Sequence, residues 1–541
     1  MRRVRSAAGL ILAASMGAAW MGASPPSTRA PALEALIDSL KNAGSLVIEG
    51  QRILADPVVL DAYEQSGFEP LWTPADLEGL LRAVRATTSD GLDPNIYHAT
   101  LLTEFSTLPL GPDRLATREL LATDALVRLS RDLRFGRVSR TDTNSPRFPD
   151  DGSSGSGDPA GDVLDAVSYG LLEQQLAALR PDNFEYDRLV RGLAELRAIE
   201  RRGGWEPISA GPTLQKNTAD TRIPLLRNRL ILSGDFRPEG QDPLTPDPMH
   251  FDDALELAVR SFQHRHGLNE DGRVGAVTLA SLNTPVAVRI EQVRVNLERL
   301  RRAQRDRPDD YVSANVAAAR VSVSRSASVE FESRTVVGEL ETQTPSFDAL
   351  MSYVEVNPTW TVPRGMVEEM LQAVRNDPSY LSDRDMRVLD AAGRSVDPTT
   401  LDFASFTAAT FPYVFRQAPG PLNPLGRIKL IFPNEYAVYL HDSPARWAFA
   451  EEERLFSHGC IRVEDPVGLA EHALDEPGTW TRETLEDAIA EGETRVISLK
   501  RPLRVFVHYR TVEASRAGTL HFYEDVYGRD PAILALLDVR R

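Results

Sequence analysis

A single cysteine, Cys460, stands in the string Ser457-His458-Gly459-Cys460-Ile461-Arg462-Val463, and His441 lies nineteen positions before it in Tyr439-Leu440-His441-Asp442. A thiol and an imidazole are the smallest set that carries out nucleophilic acyl transfer. The free thiol is a poor nucleophile at neutral pH, with a reference pKa of about 8.5, and an imidazole within reach either takes its proton or holds it as a thiolate ion pair. Gly459 allows the backbone close to a tetrahedral intermediate. The amides near Gly459 and Cys460 are therefore candidate donors to its oxyanion, an effect worth roughly 3 kcal/mol per donor. With one cysteine no intramolecular disulfide can form, and the bland alternative for such a residue is a small buried hydrophobe. The string around it argues against that reading. His264 and His266 are the other pair that invites chemistry. Two residues apart on a helix they point to different faces, and no Cys or Asp-rich partner completes a set, so no metal site is expected. His508 and His521 read as ordinary sheet residues.

The elements that must position Cys460 and His441 are strands. From Tyr311 onward apolar residues alternate, as in Val321-Ser322-Val323, Tyr353-Val354-Glu355-Val356 and Val505-Phe506-Val507, which marks a β-rich domain over 311–541. A helical insertion starts at Arg364, runs to Asn376, and passes into a Pro- and Asp-rich stretch; the insertion spans about 364–411. Upstream, 31–215 shows helical periodicity, as in Asp124-Ala125-Leu126-Val127-Arg128-Leu129. It is interrupted by Thr141 to Asp162, where Ser, Gly, Asp and Pro dominate and a mobile loop is expected. Residues 221–285 carry short helices around an Asp271-Gly272 turn, with Phe262, Leu279 and Leu282 placed to pack them. A helix over 286–310 reads as a connector.

The spacing His441-x15-Ser457-His458-Gly459-Cys460, followed by Ile461-Arg462-Val463, resembles the signature of the L,D-transpeptidase catalytic domain. The segment Phe262-Gln263-His264-Arg265-His266-Gly267-Leu268, with Asp271-Gly272 and Val274-Gly275, resembles a three-helix peptidoglycan-binding domain. The strings Asn357-Pro358-Thr359-Trp360-Thr361-Val362-Pro363, Asn423-Pro424-Leu425-Gly426-Arg427-Ile428-Lys429 and Phe522-Tyr523-Glu524-Asp525-Val526-Tyr527-Gly528 extend the likeness to the large periplasmic subfamily. Its architecture implies a multidomain α+β chain: a helical scaffold domain, a small peptidoglycan-binding domain, and a β-rich catalytic domain with a helical capping insertion.

By position the resemblance implies His441 as base and Cys460 as nucleophile. Ser457, His458, Gly459 and Arg462 fall on the remaining motif positions, which shape the pocket and engage substrate; many members carry asparagine where Arg462 stands. Tyr439 and Trp360 are implied pocket aromatics, with core packing as the alternative for both. The implied reaction uses no cofactor. It joins a donor and an acceptor stem peptide of peptidoglycan in a 3→3 cross-link, through a cysteinyl thioester, with loss of terminal D-alanine. Water in place of the acceptor amine would give a carboxypeptidase. The insertion is expected to act as a loosely held lid, with a static packing subdomain as the alternative. Carbapenems are expected to acylate the same thiolate, and other cell-wall synthesis enzymes are candidate partners. The rivals are a non-catalytic wall-binding scaffold, which an intact Cys460 and His441 disfavour, and sortase-like or papain-like thiol enzymes, which lack the string.

Composition sets the remaining bounds. A chain of 541 residues exceeds one hydrophobic core, so several domains are expected. The formal charge of -17 and the lack of a Lys/Arg block exclude nucleic acid as a partner. Arg2, Arg3 and Arg5 precede a charge-free run from Ser6 to Ala23, which reads as an export signal within 1–30, with an uncleaved anchor as the alternative. The body is accordingly expected in the periplasm.

Overall fold

The computed structural model describes residues 30–107, 109–138, 157–237, 248–303, 308–326 and 328–539. The expected export signal and most of the expected loop between Thr141 and Asp162 lie outside these residues. The end of that stretch is helical: Pro159–Val167 starts inside it, capped by Asp158, whose side chain accepts from the Ala160 amide. Proline at the first helical position needs no hydrogen-bond partner, and an Asp or Thr before it satisfies the next amide. The same device starts Pro57–Gln65 after Asp56 and Pro74–Ala86 after Thr73.

These helices pack around Pro112–Phe135, which buries Leu120, Leu121, Ala125, Leu126, Leu129 and Leu133. A small hairpin, β1 (Ser45–Ile48) with β2 (Gln51–Leu54), lies at the edge of the same cluster. The chain's last helix, Asp530–Leu537, returns to it. Ile533 and Leu537 are fully buried there, and Arg137 Nε donates to the Leu537 carbonyl at 3.2 Å.

The helix Val286–Arg302 is more than the connector its pattern suggests. Val293, Leu297 and Leu300 pack on the helix Phe184–Arg201, while Val295 enters the core around Pro112–Phe135. Its polar side is buried too. Arg301 and Glu298 pair at 2.9 Å with no exposed surface, Arg301 also donates to Asp90 O and Tyr186 Oη, and Asn296 Nδ2 donates to Thr511 Oγ1 at 2.7 Å. Amphipathic patterning reads such residues as solvated; here they satisfy one another.

The sheet domain is a closed barrel. Strands β3 (Tyr311–Asn315), β4 (Arg320–Arg325), β5 (Ser328–Gly338), β6 (Phe347–Val356), β11 (Ile428–Ile431), β12 (Leu440–His441), β13 (Leu455–Ser457), β14 (Ile461–Val463) and β15 (Arg495–His508) run in the order β13-β5-β14-β12-β11-β6-β15-β3-β4, and β4 also pairs with β5. The β4–β5 pairing closes the ring from β5 round to β4, and β13 adds to it on β5 alone. Alternate residues Val354, Leu430, Leu440, Ile461 and Val505 are fully buried inside, joined by Val467, Leu469 and Ala470 of the helix Pro466–Leu474.

The insertion carries the expected helix and also two short strands, which pair with the strands that flank it. A second sheet in the order β7-β10-β8-β9 joins β7 (Trp360–Thr361), β10 (Val414–Gln417), β8 (Met386–Leu389) and β9 (Ser395–Val396). The helix Val367–Asn376 lays Val367, Met370, Leu371 and Val374 on a core with Val388, Phe411 and Phe415. The stretch expected to be loosely held thus contains paired strands and a buried core.

The peptidoglycan-binding-like helices, Ile223–Leu232, Asp253–Arg265 and Ala276–Asn283, share a core of their own. Phe262 and Leu282 are buried between them, with Leu279 partly buried, as the pattern predicts. A hairpin of β16 (Val512–Ala514) and β17 (Leu520–Phe522) then docks against this module, where Arg265 donates to the Leu520 carbonyl at 2.6 Å and His266 stacks on Phe522. The other side of the hairpin meets the helix Phe184–Arg201 at Gly192, where a Cβ would lie 2.4 Å from Leu520. No helix among the described residues is long and apolar enough to cross a membrane.

Candidate active site

Cross-strand register places the chemistry on one face. Leu440 pairs with Leu430 and Ile461, and Leu430 pairs with Val354, all pointing into the barrel core. One step along each strand the side chains turn outward. His441 lies between Lys429 and Arg462, Lys429 lies across from Glu355, and the Ile461 amide bonds the Tyr439 carbonyl at 3.1 Å, which sets Cys460 level with Tyr439. The six outward residues are Glu355, Lys429, Tyr439, His441, Cys460 and Arg462. The rings of Tyr439 and His441 are 5.6 Å apart, and Lys429 Nζ sits 4.0 Å from the Tyr439 ring centroid.

The tautomer of His441 follows from its partner. Its Nδ1 lies 2.5 Å from the Asp442 carbonyl oxygen. A carbonyl can only accept, so Nδ1 carries the proton and Nε2 keeps a lone pair. Burial holds the imidazole neutral, with its pKa pushed down to about 3; Arg462 and Lys429 add to this and the Asp442 carbonyl opposes it. The Asp442 peptide is itself clamped. Its carboxylate accepts from the Arg427 amide at 2.9 Å and Nε at 3.1 Å, and Gly426 leaves room for it, since a Cβ there would meet Asp442 at 2.5 Å.

Cys460 is half-buried, and its Sγ lies 3.8 Å from the Ala437 carbonyl. Burial pushes its pKa up, while Tyr439, Lys429 and Arg462 favour the thiolate. The turn that carries it is fixed by hydrogen bonds. Ser457 Oγ donates to the Cys460 carbonyl at 2.5 Å and accepts from the Gly459 amide at 3.1 Å, and Thr344 Oγ1 donates to the Gly459 carbonyl at 3.0 Å. Tyr527 Oη holds Thr344 from behind, accepting from its amide and donating to Gly338 O at 2.6 Å. Gly459 has φ of +107°, a region that side chains disfavour.

The remaining candidates reach toward the insertion. His458 is exposed, with Nε2 3.3 Å from Glu369 Oε1 on the capping helix, and so bridges the nucleophile turn and the insertion. Trp360 is buried in the insertion's core among Val362, Val388 and Phe415. Tyr439 touches both the barrel core and the insertion core. Sequence reasoning gave no role of their own to Lys429, Thr344 and Tyr527. Lys429 had a signal, a lone charge within the strand Ile428-Lys429-Leu430; Thr344 and Tyr527 act through contacts that no local pattern reveals.

Residues 309–497 match the sequence model of the L,D-transpeptidase catalytic domain, 222–282 that described as "Putative peptidoglycan binding domain", and 57–193 that of the scaffold domain. The curated protein named "Putative L,D-transpeptidase" from Haemophilus influenzae is 32% identical over 246 residues, 45% of this chain and 49% of that protein. The chain thus spans about half the length of that curated relative. Two solved structures are similar. The L,D-transpeptidase of Xylanimonas cellulosilytica is 15% identical over 56% of this chain and 100% of its own, with a TM-score of 0.19. That of Mycobacterium smegmatis is 13% identical over 37% and 58%, with a TM-score of 0.18. A cysteine and a neutral histidine on one barrel face, inside the matched segment, agree with the sequence match: the chain carries an L,D-transpeptidase catalytic domain together with a scaffold domain and a peptidoglycan-binding domain.

Proposed function

We propose that the chain is an exported, periplasmic enzyme that forms 3→3 cross-links between peptidoglycan stem peptides. The observation that carries the reading is the tautomer of His441: Nδ1–H is held by the Asp442 carbonyl and the neutral ring keeps Nε2 free to accept a proton. His441 takes the Cys460 proton as Sγ attacks the carbonyl of the third stem residue. The Cys460 amide receives the oxyanion, because that of Gly459 is already given to Ser457 Oγ. Collapse breaks the bond to the terminal D-alanine, whose amine leaves with the proton from His441, and a thioester remains. An acceptor-stem amine attacks the thioester, its proton returns through His441, and the thiol is restored. Water as acceptor gives the tripeptide instead. Lys429 and Arg462 hold developing negative charge on the same face.

Intact-protein mass after incubation with a disaccharide tetrapeptide tests this. Wild type gains the mass of the donor less D-alanine, His441→Gln gains it at least about 100-fold more slowly, and Cys460→Ala gains nothing while its melting temperature hardly moves. Release of D-alanine by Cys460→Ala at near the wild-type rate would remove the nucleophile from the reading.

A further inference from the structure

A cleft of about 640 Å³ lies between the peptidoglycan-binding domain and the barrel, and it includes none of the residues of the Cys460 turn. One wall is the turn Gly267–Glu270; the other holds five arginines. Four of these have carboxylate partners. Arg320 pairs with Glu332, Arg334 makes a two-pronged pair with Glu464 at 2.7 and 2.6 Å, and Arg427 and Arg446 share Asp442. Arg454 is the exception. It is 7% exposed, its Nη1 and Nη2 donate to the carbonyls of Glu451 and Ala318 at 3.1 and 3.4 Å, and its buried Nε has no acceptor. No carboxylate pairs with it among the described residues. Burial, with Arg320 and Arg334 close by, holds its pKa down to about 10 against the opposing pull of Glu464, so the fold keeps a cation where a cation is disfavoured. A buried charge with no carboxylate bonded to it is costly, and an anionic ligand at the cleft reduces that cost.

We propose that this cleft is a second peptidoglycan subsite, in which Arg454 takes a carboxylate of a stem peptide other than the one being cut. The choice of ligand rests on the reading above that peptidoglycan is the substrate. It is supported by the cleft's own wall: Gly267–Glu270 belongs to the segment matched as peptidoglycan-binding. The volume falls within the range of about 300–1,000 Å³ typical of small-ligand sites, enough for part of a disaccharide peptide. Guanidinium geometry suits a carboxylate.

Binding is measured by calorimetry on the full chain carrying Cys460→Ala, so the measurement needs no turnover and stands apart from the catalytic reading. The probes are a disaccharide tripeptide, the same muropeptide with its carboxylates amidated, and inorganic phosphate. The acid muropeptide should bind, and adding Arg454→Gln should weaken it about tenfold or more, as loss of one charge-assisted bond does. The amidated form should bind more weakly than the acid form and be indifferent to Arg454→Gln. Because Arg454→Gln removes an unpaired buried charge, its melting temperature should hold or rise, which a purely structural arginine would not show. Glu270→Lys, an exposed change on the opposite wall, should tighten the acid muropeptide several-fold. Unchanged affinity in both variants overturns the proposal. So does Arg454-dependent binding of phosphate with no Arg454-dependent binding of muropeptide, which would make the cleft a small-anion site.

Discussion

Lys429 faces His441 across the β11–β12 pair and lies over the Tyr439 ring, close enough to Cys460 to favour its thiolate. Burial lowers the Lys429 pKa, and the charge that remains works against the burial that raises the thiol. The sign follows directly: a nearby cation stabilises the charged form of a thiol, so its removal raises the thiol pKa. Lys429→Met should move the alkaline rise of Cys460 alkylation by iodoacetamide to higher pH and slow alkylation at pH 7 several-fold. Coincident profiles for the two proteins would show that Lys429 has no such role. The difference in legibility between Lys429 and the motif residues has a physical origin. Ser457 to Arg462 sit together in the chain and carry an unusual combination of side chains. The position of Lys429 beside them is set by the register of two strands whose partners are far apart in sequence.

Among the elements, the capping insertion differs most from its sequence. Its strands are two to four residues long, too short for alternation to show, and they pair β7 with β10 and β10 with β8 across intervening helices. Its core is aromatic, with Phe411 stacked on Phe415 at 4.7 Å and ringed by Phe403, Phe406 and Tyr413. A body held this way is a packed unit rather than a loose strap. Its link to the nucleophile turn, between Glu369 and His458, joins two exposed side chains and is the kind of surface pair that contributes little. Phe411→Ala should therefore unfold the insertion first, at a cost of about 3 kcal/mol or more. Limited proteolysis between 364 and 411 checks this, since cleavage there should rise well before the barrel melts. Cleavage no faster than in wild type would show that the aromatic cluster does not hold the insertion. The helix Val286–Arg302 gives the converse lesson. Its apolar stripe was readable, but its burial on the polar side depends on Glu298, Arg301 and Asn296 meeting partners from 90 to 511 in the chain.

At the scale of the whole molecule, the hairpin β16–β17 joins the peptidoglycan-binding domain to the helices behind it, and histidines held neutral sit in that joint. His266 is stacked between Phe262 and Phe522 and lies beside Arg289, Arg265 and Arg229, so burial first and these cations second push its pKa well below the usual value. Burial likewise brings His521 on β17 down to about 4, with Arg265, His264 and Arg320 adding to the fall and Asp235 opposing it. In the separated state both rings would titrate near their ordinary value of about 6.5. A folded pKa below the free one means that docking is fully present above about 6.5 and is lost as pH falls toward the folded value. For His521 alone the loss by pH 4.5 is about 2–3 kcal/mol. The joint also holds two ion pairs, Arg265 with Asp235 and His264 with Glu270. Hydrogen exchange, corrected for its intrinsic pH dependence, should show residues 512–522 and 253–266 opening between pH 6.5 and 4.5 before the barrel does. His266→Phe with His521→Gln removes both titrations while keeping a ring over Phe522, and should flatten that response. Equal opening in the double variant would assign the acid sensitivity to the carboxylates instead.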